Sequence, residues 1–377
     1  MGGEQPHPAR AIPFDDLLAG LTAARNAGLV SRKFDPATGR SLYCYTSRCV
    51  YEDGWETFSL MSRGLILHEE SKQVVATPFP KFFNAGERGA PIPDLPFEAF
   101  EKLDGSLVII HHHDSRWCAA TKGAFDSPQA IWAEARLAAQ DVSDLVVGTT
   151  YLVEAIYPEN RIVVHYPESV LVLLAAYRDD GIEVATNALQ QTATWLGWRM
   201  AARHYYATFS DLAAKAKTLP ASKEGFVLRF ASGLRLKVKG DEYRRIHALI
   251  SRCTPLAMWE AMAADDDMQA IRHDLPEEFW DDFDGITTAL RGKLDGLLAR
   301  VGQVNAEVAS LSDKDLGLRL STLPADVRPF LFASRKHGDL MAGKSRDAVF
   351  RAIRPIGNLL SGYVPSYAMN RVAEDVA

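Results

Sequence analysis

From Leu42 to about Ser251 the apolar residues fall in short runs of β-branched and aromatic side chains cut by polar turns. From Leu256 onward they recur at the spacing of a helix. That switch limits the possible folds more than any other feature. Strands that join as hairpins, with helices at the sides, predict an α+β domain on antiparallel sheets rather than βαβ units. The boundary falls at the switch, with residues 1–250 as one domain and 251–377 as an all-α second one. A chain of 377 residues has ample material for such a division.

Ile12–Leu29 carries Leu17, Leu18, Leu21 and Ala24 at helical spacing and ends near Gly28, which predicts a helix. Leu42–Tyr51, Gly64–Leu67 and Val74–Thr77 read as strands, and Pro78–Gly89 as a loop. Leu107–His112 and Arg116–Thr121 form a hairpin over His113-Asp114-Ser115. A helix follows from Pro128 to about Ala139, with Ser127 as its N-cap. Thr150–Ile156 and Val170–Tyr177 are strand signals; Ala188–Leu196 and Ser210–Ala216 are helical ones. Gly225–Phe230 and Leu234–Val238 close a second hairpin at Ser232-Gly233, and a helix starts near Asp241.

Composition excludes several classes. The longest apolar runs, such as Val170–Tyr177, are far too short to span a membrane. Met1–Arg10 lacks the apolar core of a signal peptide. Cys44, Cys49, Cys118 and Cys253 form no CxxC pair and no zinc spacing, so free thiols in a cytoplasmic protein are expected. A net charge of −6 argues against a surface coated in basic residues, while leaving room for a local basic groove.

The candidate chemistry starts at Lys102-Leu103-Asp104-Gly105-Ser106. Here a lysine flanked by Phe100 and Leu103 precedes a tight Asp-Gly turn and then a strand. Partial desolvation would lower its pKa and make it a nucleophile; equally, a lysine beside such a turn is ordinarily solvated. Lys237 and Lys239 share one face of a strand, where two ammonium groups repel unless an anion such as phosphate lies between them. Glu154 sits inside an apolar strand and requires a partner: a lysine, a metal, a sugar hydroxyl, or an arginine such as Arg161. Glu224 stands at the mouth of another strand. Arg63, Lys81 and Lys122 are singly unremarkable. His111-His112-His113 alternates across a strand and reads as a solvated hairpin end rather than a ligand set. The absence of GxxxxGK[ST] and GxGxxG disfavours P-loop and Rossmann sites.

Taken in order, these pieces resemble the covalent nucleotidyltransferases, the superfamily of ligases and mRNA-capping enzymes. Lys102-Leu103-Asp104-Gly105 resembles motif I, Glu154 motif III, Glu224-Gly225-Phe226-Val227 motif IV, and Lys237-Val238-Lys239 motif V. Within it the RNA ligase 1 family, typified by a tRNA-repairing phage ligase, is the nearer likeness. It is supported by Ser62-Arg63-Gly64, Lys81-Phe82-Phe83-Asn84, Lys122-Gly123 and Pro158-Glu159-Asn160-Arg161-Ile162-Val163. The resemblance runs from about Leu42 to His247, and Leu103 departs from it where the phage family has an acidic residue.

The resemblance implies an ATP-grasp-like ligase domain that joins 5′-phosphate and 3′-hydroxyl RNA ends through a lysyl-AMP on Lys102 and an adenylated RNA. A DNA ligase, a capping-type enzyme or a non-catalytic nucleotide or RNA-end binding module are the alternatives. It implies ATP and Mg²⁺ (or Mn²⁺), with Arg63, Lys81, Phe83, Gly105, Lys122, Glu154, Glu224, Lys237 and Lys239 around the nucleotide. Lys237 and Lys239 would meet the α-phosphate, and Glu154 and Glu224 would hold the metal through water. Lacking a P-loop kinase signature, such a monomer would leave the healing of broken ends to separate enzymes. In the helical region, Pro255–Gly285 is acidic and expected on the solvated outside. Ile286–Val304 reads as a long amphipathic helix. The basic Ser334–Arg354 is a candidate RNA-facing patch, or else ordinary exposed helix ends.

Overall fold

The computed structural model describes residues 6–89, 91–160, 162–275, 279–356 and 359–365. They form two units, divided between Arg245 and Ile246. Strands in chain order are β1 Val30–Asp35, β2 Arg40–Tyr45, β3 Arg63–His68, β4 Gln73–Ala76, β5 Phe83–Asn84, β6 Phe97–Lys102 and β7 Ser106–His113. Then come β8 Arg116–Thr121, β9 Thr150–Ile156, β10 Val170–Tyr177, β11 Arg199–Met200, β12 Arg203–His204, β13 Gly225–Phe230 and β14 Arg235–Lys239. They build three sheets, ordered β1-β2-β3-β4, β11-β10-β9-β7-β8 and β12-β6-β13-β14-β5. The pairings are antiparallel except β10 with β11 and β14 with β5.

The second sheet is covered on both faces. Val108 and Ile110 of β7 pack with Val153 and Leu173 against the helices Pro128–Ala138 and Thr186–Leu196. Ile109 points the other way and packs with Leu152 against Leu42, Ile66 and Ala76 of the first sheet. Burial on both faces is why these strands read as unbroken apolar runs. The first sheet's outer face, with Tyr43, Leu65 and Leu67, is closed by Leu17 and Leu21 of the helix Phe14–Asn26. The third sheet packs Ala99, Leu228 and Leu236 on Leu212 and Ala216 of the helix Phe209–Lys217, so its other face is left for polar chemistry.

Several expectations need correction. The strand expected over Leu42–Tyr51 stops at Tyr45; Thr46 then caps a short helix, Ser47–Tyr51, by accepting from Cys49 N. The loop Pro78–Gly89 contains β5, because Phe83 and Asn84 extend alongside Leu236 and Lys237. The first long helix is shorter than Ile12–Leu29, running Phe14–Asn26. His111 is fully buried rather than solvated, since Arg40 Nη1 lies 2.8 Å from its Nε2 and satisfies the ring.

The second unit consists of helices among its described residues, apart from one β-bridge between Ile356 and Leu359. Its longest helix, Trp280–Glu307, packs Leu297, Val301 and Val304 against Phe330, Leu331, Val349 and Phe350. Asp282, expected on the solvated outside, is buried and accepts from Tyr363 Oη at 2.7 Å; Glu277 and Glu278 of that acidic run lie outside the described residues. Two arginines of the expected basic patch are used internally. Arg335 donates to Leu311 O and Val308 O, and Arg346 to Met262 O and Ala263 O.

Candidate active site

Lys102 ends β6 beside Gly225 of β13, and Gly225 in turn stands beside Lys239 of β14. Gly225 adopts φ 145°, and a Cβ there would approach Val238 O to 2.1 Å, so only glycine fits. This places the preceding Glu224 between two ammonium groups. Its Oε2 lies 2.7 Å from Lys102 Nζ and its Oε1 3.1 Å from Lys239 Nζ, with the carboxylate almost wholly buried.

The Asp104-Gly105 turn is held against β9. Gly105 N donates to Glu154 Oε1 at 3.1 Å, and a Cβ on Gly105 would meet Ala155 O at 2.7 Å. Asp104 is buried and saturated with donors. Its Oδ2 accepts from Val163 N and Val164 N at 2.8 and 2.7 Å, and its Oδ1 from Tyr243 Oη at 2.8 Å. Burial and the nearby Glu224 still push its carboxyl up to about 6. Ser106 Oγ donates to Asn160 Oδ1, whose amide donates to Ala155 O. Asn160, Val163 and Val164 are thereby tied to the lysine turn. Arg161, considered a partner for Glu154, lies outside the described residues.

The electrostatics differ from the expected lowered lysine. Burial would lower the Lys102 ammonium, but Glu224, Glu154 and Asp104 overbalance it and hold it above the ordinary value. Lys237 is the group driven far down, by burial and then by Lys102, Arg63, Lys81 and Lys239. Among the described residues, ion pairs join Lys102 and Lys239 to Glu224 but none reaches Lys237, Arg63, Lys81 or Lys122. A half-buried cation hemmed in by cations calls for an anion of several charges.

Aromatic rings floor this cationic group. Phe82 lies 5.4 Å from both Arg63 Cζ and Lys237 Nζ. Lys81 Nζ sits 5.1 Å from Trp55 and 5.4 Å from Tyr45 and Phe83; burial, then Arg63 and Lys122, lower it. Gly64, at φ 96°, lets β3 approach the end of β8. A Cβ there would come 3.1 Å from Lys122 Cα, so Arg63 and Lys122 meet at one corner. Phe83 belongs to the Lys81 cage and is set against Trp55 and Arg88 rather than against Lys102.

Residues 61–243 match the family model described as RNA ligase. This segment is similar to the RNA ligase family. The matched segment overlaps a 241-residue stretch that is 25% identical to a putative bifunctional polynucleotide kinase/RNA ligase of Autographa californica nuclear polyhedrosis virus. That alignment covers 55% of this chain and 34% of the viral protein, so the chain spans about a third of that relative's length. Among solved structures, an archaeal ATP-dependent RNA ligase matches with a TM-score of 0.50 at 16% identity, covering 74% of this chain and 83% of that one. A putative ATP-dependent DNA ligase from Aquifex aeolicus matches with a TM-score of 0.46 at 13% identity, covering 71% and 69%. The archaeal likeness is one of fold alone.

Sequence reasoning missed three side chains of this site. Phe82 was passed over for its neighbour Phe83, and Tyr243 and Tyr166 were not considered. Tyr243 could have been suspected as a tyrosine in the first turn of a helix that follows Lys239 directly. Tyr166, whose hydroxyl accepts from Asp104 N at 3.2 Å, carries no local signal.

Proposed function

We propose that this chain is an ATP-dependent RNA ligase that joins 5′-phosphate to 3′-hydroxyl ends through a lysyl-AMP on Lys102. The observation that carries the reading is the pairing of one clamped lysine with an adjacent group of cations that lacks carboxylate partners. A triphosphate fits that group together with Lys239, with Lys237 and Lys239 at the α-phosphate and Arg63, Lys81 and Lys122 at the outer phosphates. Phe83 acts indirectly by holding Lys81, and Gly105 admits the close approach of the lysine turn to β9. Lys102 must lose a proton before it attacks, and the Glu224 oxygen 2.7 Å away is an acceptor at hand.

The donor set bears on the metal. Among the described residues no cluster of three or more His, Cys, Asp or Glu side chains could cage an ion. Glu154 and Glu224, both engaged with protein donors, fit a Mg²⁺ or Mn²⁺ that keeps its waters and takes phosphate oxygens. When bound, such an ion would supply positive charge at the phosphates. In this reading residues 1–250 are the adenylyltransferase domain, ATP-grasp-like in architecture, and 251–377 the helical domain. The protein works as a cytoplasmic monomer beside separate end-healing enzymes; no helix among the described residues is long and apolar enough to cross a membrane.

Incubation with α-labelled ATP and Mg²⁺ tests the reading. Covalent label on the wild type, absent from Lys102→Ala, is expected, followed by sealing of 5′-phosphorylated RNA. Label retained by Lys102→Ala would refute it. Labelling by GTP, or a preference for nicked duplex DNA, would move the activity to another branch of the superfamily.

A further inference from the structure

The third sheet carries a second charged end. Strand register sets its polar face in rows: Lys102, Gly225 and Lys239; then Phe100, Val227 and Lys237; then Glu98, Arg229 and Arg235. Arg203 of β12 stands opposite Phe100 and reaches Glu98 at 3.0 Å. The third row borders a cleft of about 700 Å³ that Arg203 and Glu183 also line.

Three guanidinium groups share two carboxylates there. Arg229 contacts Glu98 at 3.4 Å and Glu183 at 3.3 Å, and Arg235 pairs with Glu183. Arg229 and Arg235 stand directly opposite each other, where like charges repel. The surplus positive charge calls for an anion. Beside it, Tyr205 is 80% exposed, and Arg203 Cζ lies 5.0 Å from its ring. An exposed ring backed by a guanidinium, next to surplus cations, is the composition of a single-strand stacking platform. Arg235 is four residues from Lys239, about 13 Å along β14. The row is therefore apart from the reacting phosphate but on the same open face.

We propose that this end of the sheet binds the RNA strand whose end reacts at Lys102, with a backbone phosphate on Arg203 and Arg229 and a base on Tyr205. The proposal rests on the RNA-ligase reading, and its test separates the two. Binding of a fluorescent single-stranded RNA bearing a 5′-phosphate is measured by anisotropy across a salt series, on wild type, Arg203→Ala, Tyr205→Ala and Tyr205→Phe. In parallel, covalent AMP labelling and its reversal by pyrophosphate are followed. Tyr205→Ala should weaken RNA binding by about 5- to 150-fold, with Tyr205→Phe restoring it. Arg203→Ala should reduce the salt slope by about 1. Labelling and its reversal should stay at wild-type rates. RNA affinity unchanged in both alanine variants would overturn the proposal. Slowed pyrophosphate reversal with RNA binding intact would also overturn it, by assigning the anion to pyrophosphate. Failure of the ligase reading is distinct: the wild type would take no label, while the variants' RNA affinities would still decide the cleft.

Discussion

Replacing Glu224 by glutamine removes one negative charge from between two ammonium groups while nearly preserving the side chain's shape. Glu224 meets Lys102 at 2.7 Å and Lys239 at 3.1 Å, and both lysine side chains keep some exposure, 21% and 25%. Hydrogen bonds to charged groups contribute about 1.5–3 kcal/mol each, and partial exposure favours the lower end, so the pair is worth about 3 kcal/mol. A glutamine can satisfy one lysine through its oxygen but turns an NH₂ donor toward the other. Losing one bond and weakening the other, about 1.5–3 kcal/mol, lowers the melting temperature of a unit this size by about 3–12 °C, which calorimetry reads directly. The alkaline limb gives a second readout. The Lys102 ammonium is held above its ordinary value, against burial, chiefly by Glu224. A folded-state pKa above the unfolded one gives stability that is complete below the unfolded value and lost as pH rises through the folded one. In Glu224→Gln that loss should begin at lower pH than in the wild type. Added pyrophosphate should recover more of the melting temperature in the variant, where the lysines lack their carboxylate. A variant that melts within about 2 °C of wild type, with the same alkaline profile, would refute the clamp.

Three further substitutions test other parts of the structure. Gly225→Ala forces a Cβ to within 2.1 Å of Val238 O at φ 145°; it should cost about 3 kcal/mol or more in a denaturant titration and reduce lysyl-AMP yield in parallel. His111 is lowered from 6.5 to about 3, by burial and then by Arg40, so its stabilising contribution is present above 6.5 and lost as pH falls toward 3. That linkage is on the order of 5 kcal/mol, and His111→Gln, which keeps an acceptor for Arg40, should flatten the acid limb followed by circular dichroism. Arg346→Ala removes bonds to Met262 O, Ala263 O and Asp265; it should destabilise the helical unit by about 1–3 kcal/mol while leaving RNA affinity and its salt dependence unchanged.

The residues that a strand's period could place were legible in the sequence. Lys237 and Lys239 do share a face, and Glu154 does sit mid-strand in an apolar run. The hairpins and the helical region after Ser251 were likewise readable from period alone. What escaped was set by partners distant in the chain. Phe97–Lys102 is a strand, yet Phe-Glu-Ala-Phe-Glu-Lys contains no β-branched residue; it is held by β13 on one side and β12 on the other. The Ser47–Tyr51 helix is too short to show a period, and its Thr46 cap was read as part of a strand. Electrostatics was the least legible layer. Phe100 and Leu103 suggested a lysine with lowered pKa, but desolvation is only one side of the balance. The register that sets Gly225 beside Lys102 brings Glu224 within 2.7 Å, and a close opposite charge outweighs burial. The same register drives Lys237 down, since the carboxylate that relieves Lys102 and Lys239 does not pair with it. The resting site therefore holds Lys102 charged and leaves the cations around Lys237 underneutralised. An arriving polyphosphate that draws Lys239 from Glu224 would alter both, and the anion that fills the pocket would also set the protonation of Lys102.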